Sequence, residues 1–168
     1  GLKFYDRAEI KDAICYIRII HQENDDLAFE RIINTPKRSI GDATLKEIHK
    51  IAKQKNINLE QASLLYCEQE NPNGKTILSL KKIITDIQSW RKLSKEISHY
   101  ELTERVMDES GYTQMLMNEK TPEADSKLEN LKELILSMKN YSNLQDFLEN
   151  ISLQTSIDED WNGEKINL

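Results

Sequence analysis

The sequence predicts an all-α fold, a compact bundle of about eight helices around one shared core. Three observations predict it. Apolar residues recur at every third or fourth position through most of the chain and nowhere alternate with period two over a useful length. Five glycines and three prolines are too few to punctuate many short strands. A charged fraction of 31% beside 38% hydrophobic residues gives long solvated helix faces over a modest core. With 168 residues the chain is long enough to bury that core as one domain. No repeat of fixed period is present.

The first helix is expected from Asp6 to Ile20, with Ile10, Ala13, Ile14, Ile17 and Ile20 on one face. Asp6 and Glu9 form a capping-box-like pair at its start. Asn24 or Asp25 caps a second helix, which ends by Thr35-Pro36 because a residue before proline is pushed out of the α region. The third starts at Asp42, carries Leu45, Ile48 and Ala52 on one face, and fades near Lys55-Asn56. Asn58 caps a short fourth helix reaching Glu68, and Asn71-Pro72-Asn73-Gly74 is a turn by composition. A long fifth helix sets Leu80, Ile83, Ile84, Ile87 and Trp90 in one stripe. Glu101 to Glu109 forms a sixth, ended by Gly111, and Tyr112 to Glu119 a seventh. Thr121-Pro122 is a cap followed by proline at the first helical position, and Leu128, Leu131, Ile135 and Met138 make an apolar face behind it. A last helix carries Leu144, Phe147, Leu148 and Ile151. The acidic stretch from Glu159 to Gly163 lacks helical periodicity. Residues 159–168 therefore read as an exit linker behind a folded domain of residues 1–158.

A net charge of −6 argues against a general nucleic-acid scaffold. Between Thr35 and Lys55 the balance reverses: Lys37, Arg38, Lys46, Lys50, Lys53 and Lys55 face only Asp42 and Glu47. Any phosphate contact should be local to this stretch. Asn34 to Leu45 reads as a tight hairpin between two helices, with Lys37 and Arg38 before the turn and Gly41 supplying its backbone freedom. The outgoing helix then presents unpaired N–H groups beside two cations, which suits a phosphate. Such contacts grip the nucleic-acid backbone and carry no sequence information.

The chemistry of an enzyme is missing from the sequence. There is no glycine-rich Lys-Ser/Thr loop for a nucleotide and no acidic pair behind an apolar strand for magnesium, so no cofactor is expected in this stretch. His21, His49 and His99 are isolated and read as surface or helix-flank residues, because a general base needs a nucleophile and an orienting partner. Cys15 and Cys67 lack metal-ligand spacing and read as small core hydrophobes in a reducing, cytoplasmic setting. Met115-Leu116-Met117 reads as core packing, and no apolar run is long enough for a membrane span.

The order of four segments carries a resemblance. Phe4-Tyr5-Asp6-Arg7-Ala8-Glu9-Ile10-Lys11-Asp12 opens the chain. Asp25-Asp26-Leu27-Ala28-Phe29-Glu30-Arg31-Ile32-Ile33 runs into Asn34-Thr35-Pro36-Lys37-Arg38-Ser39-Ile40-Gly41. Glu109-Ser110-Gly111-Tyr112 and Leu128-Glu129-Asn130-Leu131 follow. Over essentially the whole chain this resembles the 2B subdomain of the UvrD/PcrA/Rep group of bacterial superfamily 1 DNA helicases. The resemblance implies a helix-hairpin-helix-like, non-catalytic, duplex-binding and regulatory insertion in the second motor domain of an ATP-dependent 3'-5' helicase of DNA repair and replication. It implies an excised fragment with neighbouring termini, whose parent binds ATP and magnesium elsewhere. The implied partners are double-stranded DNA at a single-strand/duplex junction, the motor domains of the same chain, and repair proteins.

The family's hairpin reads Gly-Ile-Gly and meets the duplex ahead of the fork. Ile40 and Gly41 match it, while Ser39 replaces the first glycine. If that position has positive φ, serine costs about 1 kcal/mol or more there; alternatively its hydroxyl donates to a phosphate. By the same resemblance Lys37, Arg38, Ser39, Ile40 and Gly41 are expected DNA contacts. Thr44, near the start of the next helix, and Lys11, in the Glu-Ile-Lys-Asp segment, join them. Arg7 and Glu9 read as structural and Trp90 as core, while Trp161 has no assigned role. A second class stays open, a helical protein-interaction module whose acidic faces bind a repair partner; duplex binding separates the two.

Overall fold

The computed structural model describes residues 2–69 and 71–155. The expected exit linker at 159–168, the boundary at 158 and Trp161 lie outside the described residues. Among those residues the fold is all helical: α1 (Leu2–Tyr5), α2 (Ala8–His21), α3 (Asp26–Ile32), α4 (Asp42–Lys55), α5 (Leu59–Gln69), α6 (Lys75–Leu93), α7 (His99–Glu109), α8 (Tyr112–Glu119), α9 (Pro122–Met138) and α10 (Leu144–Thr155). The expected helices are present, and α1 is added ahead of them.

Helix α2 is the axis of the bundle. It is buried nearly all round, Glu9, Lys11 and Asp12 included, which marks a helix surrounded by others. Accordingly α1, α3, α6, α7, α9 and α10 all pack against it, and Ile10, Ile14, Cys15, Tyr16, Ile17 and Ile19 are fully buried. Helices α4 and α5 form an antiparallel-type pair that leans on the body through α3 and α6. At the other end, α7, α8 and α9 pack together, and α1 packs on α10. Trp90 is core, as expected, with its indole Nε1 donating to Glu109 Oε1 at 2.8 Å.

The polar groups that α2 carries inward are satisfied across the bundle, as burial demands. Asp12 accepts from Arg31 Nε at 2.8 Å and from the Tyr112 hydroxyl at 2.6 Å. Burial, with the Asp12 charge second, holds that phenol far above its ordinary range and keeps it a donor. Glu9 accepts from Asn130 Nδ2 at 2.7 Å, tying α2 to α9. This removes it from the expected capping box with Asp6: α2 starts on Arg7 with no side-chain cap. Glu60 on α5 takes Arg91 of α6 in a two-pronged pair at 2.6 and 2.7 Å. Cys15 and Cys67 are both buried free thiols, and burial pushes Cys15 up to about 12.

Candidate nucleic-acid interface

Residues 33–41 connect α3 to α4, where the sequence places a hairpin at Asn34 to Leu45. Its shape is fixed from within and from behind. Asn34 Oδ1 accepts the backbone N–H groups of Arg38 at 2.6 Å and Ile40 at 3.2 Å, closing the loop on itself. Ile40 is completely buried and plugs the loop into the core. Tyr16, from the central helix, donates its hydroxyl to the carbonyl of Thr35. Burial raises the pKa of that phenol even though the Arg38 cation pulls it down, so the donor persists. At the hairpin's far side, Thr76 Oγ1 at the start of α6 donates to the Ser39 carbonyl at 2.8 Å.

Arg38 is the central strut. Its Nη1 donates to the carbonyls of Ile32 at 2.8 Å and Ile33 at 3.1 Å at the end of α3, the first of which also accepts the Thr35 N–H at 3.0 Å. Its Nη2 donates to the Tyr16 hydroxyl at 2.6 Å and to the Ser110 carbonyl at 3.1 Å, and the guanidinium lies 5.9 Å from the centre of the Tyr16 ring. The cation expected to face DNA is thus turned inward, where its fork stitches α3, α2 and the end of α7 together.

The other expected contacts separate in the same way. Lys37, Ser39 and Gly41 are exposed, and Thr44 is half-buried on the first turn of α4. Ile40 faces the core and its N–H is taken by Asn34, so neither its side chain nor its amide faces outward. Lys11 is only 5% exposed and is engaged within the bundle, so it does not project from this surface. The conformational freedom also sits elsewhere than expected. Ser39 holds φ 62, the left-handed region, whereas Gly41 has φ −88 and ψ −176, ordinary extended backbone. A Cβ built on Gly41 meets nothing within 4 Å.

What Gly41 does provide is an open helix end. As the N-cap of α4 it has no side chain to cap with, so the N–H groups of the first turn keep no side-chain acceptor. Thr44 lies in that first turn, and the exposed Lys37 stands four residues ahead of Gly41 in the chain. Lys46, Lys50 and Lys53 continue the positive face along α4, with Glu47 loosely paired to Lys50 at 4.0 Å. Tyr16 and Ser110 lie outside the stretch that the sequence marks, while Asn34 opens that stretch and holds it closed. Asn34 four residues ahead of Arg38 is the one local turn signal that could have been read. His49 pairs with Glu30, and the buried His99 bonds the Met138 carbonyl at 2.6 Å. Among the described residues no group of three acidic, cysteine or histidine side chains could hold a metal, and no helix is long and apolar enough to cross a membrane.

The model of the UvrD-like helicase C-terminal domain matches residues 1–168. The chain belongs to that family. A probable DNA helicase II homolog of Rickettsia felis is 39% identical over 153 residues, covering 91% of this chain and 23% of the relative. ATP-dependent DNA helicase PcrA of Staphylococcus aureus is 35% identical over 175 residues, covering 95% of this chain and 23% of the relative. DNA helicase II of Escherichia coli is 33% identical over 142 residues, covering 84% of this chain and 20% of the relative. The chain therefore spans less than a quarter of the length of these UvrD-like relatives.

Proposed function

We propose that this UvrD-like chain is the non-catalytic, duplex-binding and regulatory part of an ATP-dependent 3'-5' DNA helicase acting in repair and replication in the cytoplasm. ATP and magnesium are used by motor domains of the same protein outside this stretch, and the DNA partner is the duplex beside a single-strand junction. The observation that carries the reading is the braced α3–α4 connection, which ends in an uncapped helix N-terminus with Thr44 in its first turn and the exposed Lys37 four residues ahead of its cap; we read it as a helix-hairpin-helix-like element. Lys37, Ser39 and Gly41 are the contacts that its geometry favours, with the amides of Asp42, Ala43 and Thr44 on phosphate. Arg38 and Ile40 act by holding those groups in place. Because the bracing bonds reach α2, α6 and α7, the hairpin moves only with the whole bundle. Rotation of the bundle on its connections to the motor would therefore engage or release the duplex without touching ATP chemistry.

The test uses the full-length helicase carrying Lys37→Ala with Thr44→Ala. Unwinding of a tailed duplex and duplex affinity should fall severalfold while ATP hydrolysis on single strands stays unchanged. Unwinding and duplex affinity both equal to the parent's, in a folded protein, would remove the hairpin from the DNA contact.

A further inference from the structure

Helix α9 is more apolar than the core it serves. Leu131, Leu134 and Met138 are buried. Leu128 and Ile135 are only half covered, and Leu136 is 59% exposed. The uncovered half of the stripe forms one wall of a groove of about 550 Å3, with Met107 of α7 in its floor. The other exposed large hydrophobics, Leu64, Leu78, Met117 and Leu153, stand singly on α5, α6, α8 and α10 and do not line it, which is normal for a surface. The charges around the groove are sorted. Glu101, Glu104 and Asp108 line the α7 side at spacings of three and four, one acidic edge along the whole trough. On the α9 side Lys132 and Lys139 line it, and Lys139 lies over the Tyr100 ring at 5.3 Å.

An apolar trough between two helices takes the apolar face of a third, read out by anchors at successive turns. An acidic edge along one rim selects the orientation and the sign of that helix, since like charges placed there would repel. We propose that the α7–α9 groove docks an amphipathic helix of a partner protein whose apolar face enters the trough and whose lysine or arginine edge lies along Glu101, Glu104 and Asp108. This surface is built on different helices from the hairpin and does not depend on the duplex-binding reading.

The test uses the full-length helicase and two synthetic helical peptides of roughly four turns. Both carry leucine at every third or fourth position. One has lysines along the edge that meets α7, and the other has glutamates there. Fluorescence anisotropy should show the lysine peptide binding at least about tenfold more tightly than the glutamate peptide. Combining Glu101→Lys, Glu104→Lys and Asp108→Lys should invert that preference. Leu136→Ser, at an exposed position that folding tolerates, should weaken both peptides. Duplex affinity, measured on Leu136→Ser, should not move; a loss confined to duplex binding in Lys37→Ala would report on the hairpin alone. Equal affinity for the two peptides, no binding of the lysine peptide, or an unchanged preference in the charge-reversed variant would overturn the proposal. So would self-association of the helicase that Leu136→Ser abolishes, since the occupant would then be a second copy.

Discussion

Residue 39 carries the backbone strain of the hairpin and residue 41 its chemistry. Ser39 sits at φ 62, where an L-residue other than glycine costs roughly 1 to 2 kcal/mol. Glycine would remove that strain but loses about 0.5 to 1 kcal/mol through unfolded-state entropy. Ser39→Gly should therefore stabilise modestly, raising Tm by about 1 to 2 °C for a domain of this size, and leave duplex affinity intact. A thermal melt beside a duplex titration checks both halves; a fall in affinity would mean that the hydroxyl holds a phosphate. Gly41 predicts the opposite trade. Its backbone is ordinary and its Cβ space is open, so serine fits without strain. The new hydroxyl would cap an amide of the first turn of α4 and gain a few tenths of a kcal/mol or more. That same bond would compete with phosphate for the amides, so Gly41→Ser should melt higher and bind duplex more weakly. Higher stability with unchanged binding would show that the helix end is not the contact.

At the scale of the elements, the hairpin is a helix-to-helix joint held by one guanidinium. The Ile33 carbonyl just past α3 has no continuing helix to satisfy it, and Arg38 serves it and the Ser110 carbonyl while it also holds Tyr16 and the Ile32 carbonyl, which takes the Thr35 N–H as well. Arg38→Lys keeps the charge but has no planar fork to reach four acceptors at once. Leaving even two buried acceptors unmet should cost about 2 to 4 kcal/mol, visible as a lower denaturation midpoint. A stability change under about 0.5 kcal/mol would show the strut to be dispensable. The same element explains what could be read from sequence. Caps are local, so Asp25, Asn58, Thr121 and Gly111 were legible: Asp25 accepts from Ala28 N, Asn58 from Gln61 N, Thr121 from Ala124 N, and Gly111 turns at φ 87. Asp6 with Glu9 has the same local pattern, but Glu9 finds Asn130 across the bundle. Lys11 and Arg38 failed as outward cations for that reason too. Exposure of a lysine on α2 depends on six neighbouring helices, and the direction of Arg38 depends on a carbonyl 72 residues away.

For the whole molecule the governing fact is a small positive site on an acidic body. The net charge is −6, yet the exposed face from Lys37 through Lys46, Lys50 and Lys53 is basic. If the chain binds duplex as proposed, long-range attraction to DNA is weak and binding rests on the few phosphates that the hairpin and α4 can reach. The two inward cations, Lys11 and Arg38, release no counterions from DNA, because they already sit inside the protein. A footprint of about two or three phosphates gives a slope of log K against log salt near −2 to −3 for this bundle's share of duplex binding. The share can be isolated in the full-length helicase by comparing the parent with Lys37→Ala, which should reduce the magnitude of the slope by about one. Arg38→Gln, tested where the fold is still intact, should leave the slope unchanged, since Arg38 neutralises no phosphate. Affinity should not depend on base sequence, because backbone amides and lysines carry none of that information. If Lys37→Ala leaves the slope untouched while Arg38→Gln lowers its magnitude, the strut and the contact have been assigned the wrong way round, and the hairpin must reopen on DNA to free its arginine.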